Sequence, residues 1–413
     1  MTLSVSNQVS LRYKLEGNYP TNFGVLQAGN GTVFNYTGES LAYDLVNVTS
    51  KTIRSDRSVA DIAQVDANAG GGFKVEQIAG DVDWILAGIM QNPWVPYGTS
   101  GLSTSIASLT LAANTMTASV APTGSSAFTT LQAGQFFSLK PAAGLTAAQN
   151  AYLAKTVFRV HPTTAPTSTV ITLDPATVVN TTLLPGPLTN VQISSSSVFN
   201  GTTMQTFSIE AAHLDINQFR CYVGMAFDSI EISFESGAIV EMDVTMMGRT
   251  MSVTNTTNMG TPTAATTNTP ANATKGIMDV IEGGALLSAI TYVKSGKIKI
   301  ANNLRSQEAV STFGAAGIAA GTLEITGSLE MYFADATHYS KALAGQATAL
   351  ALPIVDVNGK GYTFSIPAMK YTSAKVNSTG ENTDTMLSLE FQAIVDQTST
   401  NATLGKSMAI YRH

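Results

Sequence analysis

Apolar and polar residues alternate along four stretches of the chain with the period of two that a half-buried strand requires. The longest covers residues 323–333, where Leu323, Ile325, Leu329, Met331 and Phe333 fall on one side and Glu324, Thr326, Ser328 and Glu330 on the other. Ile230, Ile232 and Phe234 alternate with Glu231, Ser233 and Glu235, and Met242, Val244 and Met246 with Glu241, Asp243 and Thr245. Leu387, Leu389, Phe391 and Ala393 alternate with Ser388, Glu390 and Gln392. Each stretch predicts a strand with one face on a core and the other in water or at a polar boundary. Two short helices interrupt this pattern. Val82, Ile85, Leu86 and Ile89 have the spacing of a single buried helical face, with Asp81 placed to cap it and Pro93 just beyond. A weaker stripe runs from Asp335 through Tyr339 and Leu343 to a stop at Gly345.

The two halves correspond in order. Ile53-Arg54-Ser55 precedes a Gly-rich stretch (70–72), then Phe73-Lys74-Val75-Glu76, then the Trp84 helix. Leu304-Arg305-Ser306 precedes Gly317 and Gly321, then the strand at 323–333, then the Tyr339 helix. Thr206-Phe207-Ser208-Ile209 is echoed by Thr363-Phe364-Ser365-Ile366. This reads as a tandem duplication, a pattern that decides the fold class. The first copy spans 1–95 plus 201–252 and the second 281–413. Residues 96–200, with strand-like runs at 136–139, 156–160 and 170–173, predict an inserted small β-barrel or Ig-like domain. The Thr/Asn/Pro-rich segment 253–280 reads as a linker or surface arm.

Composition agrees with a mainly β chain, since Thr, Ser, Asn, Ala and Gly exceed the strong helix formers. Across 413 residues only 12% are charged, fewer than usually coat a free monomer, which suggests buried subunit contacts. The net charge of −6 argues against a reader of nucleic acid, which would gain affinity from Lys and Arg. The single cysteine, Cys221, lies in an apolar stretch and cannot form an internal disulfide, as expected of folding in a reducing cytoplasm. The first residues carry no basic stretch followed by an apolar run, so neither export nor a membrane anchor is expected. Asn-x-Thr triplets at Asn30, Asn47, Asn200 and Asn272 are what chance supplies in a chain this rich in Asn and Thr.

Signals of chemistry are missing. His161, His213, His338 and His413 lack metal-ligand spacing, and no nucleophile elbow, phosphate loop or dinucleotide fingerprint is present. Asp215-Ile216-Asn217 and Asp356-Val357-Asn358-Gly359 lack the ligand series of a calcium loop and read as Asx turns. No enzyme activity, cofactor or metal is expected. Trp84 and Trp94 flank one helix and read as packing residues rather than a sugar platform.

The ordered set Ser50-x-x-Ile53-Arg54-Ser55-Asp56-Arg57, the glycines 70–72 and Asp83-Trp84-Ile85-Leu86 resembles the opening of siphovirus-type phage tail tube proteins. In the second half Asn302-Asn303-Leu304, Thr326-Gly327-Ser328-Leu329, Tyr332-Phe333-Ala334-Asp335, Val357-Asn358-Gly359-Lys360-Gly361-Tyr362 and Ile366-Pro367 extend the resemblance. It covers most of the chain outside the insert. The resemblance implies tandem tail-tube β-sandwich folds, each with a short flanking helix, assembling as stacked homo-oligomeric rings in the virion tail. It implies trimers with pseudo-six-fold symmetry, or hexamers, built in the bacterial host cytoplasm. The partners it implies are the chain itself, the tape measure protein, the tail terminator and the tail-tip or baseplate proteins, with viral DNA passing unbound through the lumen. On that reading Glu231, Glu235, Glu324 and Glu330 are candidates to line the lumen, where negative charge repels phosphates. Arg54, Asp56, Arg57 and Arg305 are candidate subunit-interface residues. The competing expectation is a surface-array or adhesin-like β protein, which shares the low charge and the richness in Thr and Asn.

Overall fold

The computed structural model describes residues 4–140, 145–273, 279–378, 380–395 and 406–413. Its organising element is an antiparallel sheet of eight long strands contributed equally by the two halves of the chain. The first half supplies β2 (Ala42–Thr49) and β3 (Ile62–Glu76), which follow the outer strand β1 (Val9–Asn18) and precede helix α1 (Asp83–Ile89). After the insert come β4 (Gln205–His213), β5 (Gln218–Glu235), β6 (Glu241–Gly248) and β7 (Thr250–Thr254). The second half supplies β8 (Val293–Ala301), β9 (Glu324–Tyr332), α2 (Thr337–Leu343), β10 (Thr348–Val355), β11 (Gly361–Asn377) and β12 (Met386–Ala393). The order across the sheet is β2-β3-β6-β5-β8-β9-β12-β11.

The alternation in the sequence explains which side of this sheet is buried. Ile230, Ile232, Met242, Val244, Ile298, Ile300, Leu389 and Phe391 all point to one side and join a single core that runs through both halves. A second layer covers that core. In the first half it consists of β1, β4, the beginning of β5 and β7. In the second half it consists of β10, the beginning of β11 and the strand Ala409–Arg412. The strand Ser196–Phe199, which leads out of the insert, pairs with Ala409–Arg412 in the outer layer of the second half. β5 and β11 each cross from one layer to the other. In β5 the passage falls at Gly224, where φ is +72° and a Cβ would meet Phe23 and Arg249 at under 3 Å. That left-handed conformation favours glycine.

Trp84 fastens the layers of the first half together. Its ring stacks on Tyr13 with centroids 4.0 Å apart and meets Phe207 and Phe227 at 5.2 Å and Phe34 at 5.3 Å. Asp81 does not cap this helix. Val82 occupies the cap position without a side-chain bond, and the Asp81 carboxylate accepts instead from the Asn35 backbone N–H. The second helix runs close to expectation, with Gly345 at φ +59° just past its end.

The halves match in register as well as in order. β5 carries a bulge between Phe227 and Ser229 against β6, and β11 one between Tyr371 and Ser373 against β12. The hairpins leading into them are also bulged, between Phe207 and Ile209 and between Thr348 and Leu350. Gly71 and Gly327 occupy matching places, and a Cβ there would lie 2.1 Å from Ser40 O and 2.4 Å from Lys297 O respectively. By this register Ser229 matches Ser373 and Ile209 matches Leu350. The echo of Thr206-Phe207-Ser208-Ile209 in Thr363-Phe364-Ser365-Ile366 is therefore not a structural equivalence. The first tetrapeptide lies on β4, the second on β11, whose counterpart is β5.

The insert has a core of its own, drawn from Tyr97 to Ile193. Six strands (Phe158–Arg159, Phe136–Lys140, Leu188–Ser194, Ile106–Leu111, Thr115–Ala118 and Val170–Thr172) pair in that order. A bridge between Val160 and Leu173 brings the outermost two together, closing a small barrel. A buried ion pair, Arg159 with Asp174 at 3.1 Å, sits beside that closure. Residues 255–273 run against the first half, where Met259 is fully buried and Asn268 Nδ2 donates to Ala79 O.

His413 ends the described chain in a buried position, with Nε2 2.7 Å from Thr363 Oγ1. Burial pushes its imidazole down to about 3. An unfolded histidine titrates near 6.5, so between these values the unfolded chain binds the extra proton and stability rises with pH. Stability is thus expected to fall as pH drops from about 6.5 toward 3, by up to about 1.4 kcal/mol per pH unit from this group. His413→Gln should flatten the decline in urea midpoint measured between pH 6.5 and 4 relative to the parent; an unchanged slope would remove the histidine as its cause.

Candidate functional site

The face of the eight-stranded sheet turned away from the core is continuous and polar, and among the described residues no element covers it. Because side chains alternate, every strand that sends Ile, Val, Leu or Met inward sends charge outward. One row across the sheet reads Lys74, Asp243, Glu231, Lys299, Thr326, Gln392, Lys370, each opposite the next on the neighbouring strand. Lys74 meets Asp243 at 3.3 Å, and Lys297 meets Glu231 at 2.8 Å. Ser295 Oγ donates to Glu330 at 3.2 Å, and Gln392 Nε2 to Glu324 at 3.4 Å. Carboxylates outnumber lysines: Glu231, Glu235, Glu241, Asp243, Glu324, Glu330 and Glu390 stand among Lys74, Lys297, Lys299, Lys370 and Lys375. The face is dished, with shallow grooves along β5, β8, β9 and β12.

All four carboxylates singled out from sequence, Glu231, Glu235, Glu324 and Glu330, lie on this face. The lysines among them escaped the sequence reading. Their signal was the alternation of Lys297 and Lys299 with Ile298 and Ile300 in β8. The other four candidates lie on two arms that project from the same end of the sheet, one between β2 and β3 and one between β8 and β9. Arg54 and Asp56 pair with each other at 2.7 Å, and this hydrogen-bonded contact holds the Asp56 carboxyl below the usual carboxylate range. Arg57 follows at a left-handed φ of 61°, and Arg305 is exposed on the second arm.

The arms differ in surroundings. The second folds back on the first half, burying Leu304 and Ile318 against Phe23, Met204 and Ala226. The first stands free, with Ile53 97% and Val59 66% exposed. Among the described residues both ends of the eight-stranded sheet are likewise open, at β2 and at the far half of β11.

Among the described residues no cluster of three or more His, Cys, Asp or Glu side chains is arranged to hold a metal. No helix among them is long and apolar enough to cross a membrane. Cys221 is buried, and burial pushes its thiol up to about 12, so it is a packing residue and not a nucleophile. Asp356 Oδ1 accepts from the Asn358 and Lys360 backbone N–H groups, making the turn its sequence suggests. The arrangement offers a polar surface and two sheet edges.

None of the curated proteins matches the chain. The family model described as phage tail tube protein matches residues 6–393, which takes in both halves and the insert. The chain therefore belongs to the phage tail tube protein family, structural components of the virion tail.

Proposed function

We propose that copies of this chain join edge to edge into a ring, that rings stack into the tail tube, and that the polar sheet face lines the lumen through which viral DNA is ejected. The observation that carries this reading is the pair of open edges, β2 and β11, at the ends of a sheet whose two halves already repeat head to tail. A head-to-tail contact generates a ring when its rotation closes, and closing removes unpaired edges that otherwise invite aggregation. Three chains would contribute roughly 24 strands. At ~4.8 Å between strands and ~40° of tilt, such a barrel has a backbone diameter of roughly 48 Å and a lumen of roughly 36 Å inside its side chains. A duplex passes through that opening, whereas six chains would double the circumference. The trimer with pseudo-six-fold symmetry is thus favoured over the hexamer. Excess carboxylate on the face disfavours phosphate binding, so DNA slides without sticking. The tape measure protein would occupy the same lumen before ejection, and the terminator and tail-tip proteins would meet the two ends of the stack.

Negative-stain microscopy of the purified protein tests this directly. Hollow rings or tubes with three repeats around the circumference and an opening near that width are expected. A protein that remains monomeric at high concentration in every condition would refute the reading.

A further inference from the structure

The contact inside one chain specifies the contact between chains. Where the two halves meet, β5 pairs with β8 in a defined register: Ser229 opposite Ala301, Glu231 opposite Lys299 and Ile232 opposite Ile298. The matched registers of the halves translate each residue of this seam to a residue on an open edge. On one side, Ser229 pairs with Thr245 as Ser373 pairs with Glu390, so Lys375 and Val376 stand where Glu231 and Ile232 stand. On the other, Ala42 faces Gly70 as Lys299 faces Thr326, while Gly38 faces Lys74 as Ser295 faces Glu330. Leu41 and Ala42 therefore stand where Ile298 and Lys299 stand.

We infer that β11 of one protomer adds antiparallel to β2 of a second copy with Lys375 opposite Ala42, Val376 opposite Leu41 and Ser373 opposite Asp44. This inference rests on the ring reading above and specifies its junction. Two independent observations support the register. Ile232 is fully buried at the internal seam, while its counterpart Val376 is 40% exposed on the open edge, apolar surface that the added strand would cover. Charge also agrees: the exposed Lys375 comes to lie diagonally across the new seam from the exposed Asp44. The arms repeat the relation. At the internal seam the arm between β8 and β9 locks onto the neighbouring half, with Asn302 Nδ2 donating to Ile89 O and Phe227 O and Leu304 N to Asp228 Oδ1. The free arm bearing Ile53 would lie over the second half of the next protomer in the same way.

Engineered cysteines read the register. Lys375→Cys protein is mixed with Ala42→Cys protein, assembled and mildly oxidised; directly opposite strand residues come close enough for a disulfide. Cys221 is buried and does not compete. The mixture is expected to give covalent dimers while neither variant alone does, and the double variant should give a ladder ending at the ring number. Lys375→Cys with Ser40→Cys or with Asp44→Cys, two residues out of register, should link at least tenfold less. Rings in the micrographs with an out-of-register pair linking best, or with no pair linking, would overturn the register and leave the ring standing. Absence of rings from the parent protein would overturn both. Each single variant is first checked for ring formation, and Ser373→Cys with Asp44→Cys provides a second in-register pair should Lys375→Cys fail to assemble.

Discussion

Val376→Asp is expected to leave the protomer folded and to abolish its assembly. In the free protomer Val376 lies on an open edge, 40% exposed, so a carboxylate there keeps water and the change in unfolding free energy should stay within about 1 kcal/mol. In the ring the same position becomes the counterpart of Ile232, which is fully buried between two strands. A carboxylate without a partner in that setting costs about 4 kcal/mol, and an inward-pointing charge is also how natural sheets protect their edges. That penalty raises the dissociation constant of each junction roughly a thousandfold. Sedimentation velocity should show a monomer at concentrations where the parent protein forms rings, with a superimposable urea curve. Rings of normal size from the variant would show that this edge is not at the junction.

The second large effect is expected at Trp84→Ala, and it concerns stability. Trp84 is 7% exposed and touches aromatic rings from both layers, Tyr13 and Phe207 on one side and Phe73 and Phe227 on the other. Truncation would remove that contact and leave a cavity which α1 cannot close, because Gly88 already brings the helix backbone against Phe227. A loss of about 3–5 kcal/mol is expected from urea unfolding. The indole Nε1 has no hydrogen-bond partner among the described residues, so Trp84→Phe should lose much less. Similar losses from the two variants would mean that the ring stack does not hold the layers together.

The strands were legible where alternation persisted. Residues 323–333 and 230–235 announced both their existence and their buried side, because period two is a local property of a pleated chain. The same alternation placed Glu231, Glu235, Glu324 and Glu330 on one surface. β5 was only half visible. Its 18 residues serve two layers, and its middle (221–227), apolar and almost wholly buried where the strand passes between them, shows no alternation. The tetrapeptide echo misled for a related reason: Thr206-Phe207-Ser208-Ile209 and Thr363-Phe364-Ser365-Ile366 are both buried β sequence, and local composition does not say which strand of a hairpin carries it. Asp81 lost the cap because the Asn35 N–H, 46 positions earlier in the chain, competes for the same carboxylate.

Alone, the sequence determined a mainly β chain made of two similar halves, each with a helix beside a strand that carries carboxylates on one side. Those features depend on neighbours within a few positions, and period and composition record them. Tertiary structure decided which strands are adjacent, that the halves share one sheet through β5 and β8, and that Lys297 and Lys299 stand among the carboxylates. It also decided that two edges and one arm stay open while their counterparts are paired. Strand partners such as Glu231 and Lys299 are 68 positions apart, and their meeting is fixed by turns, bulges and core packing, none of which either residue encodes.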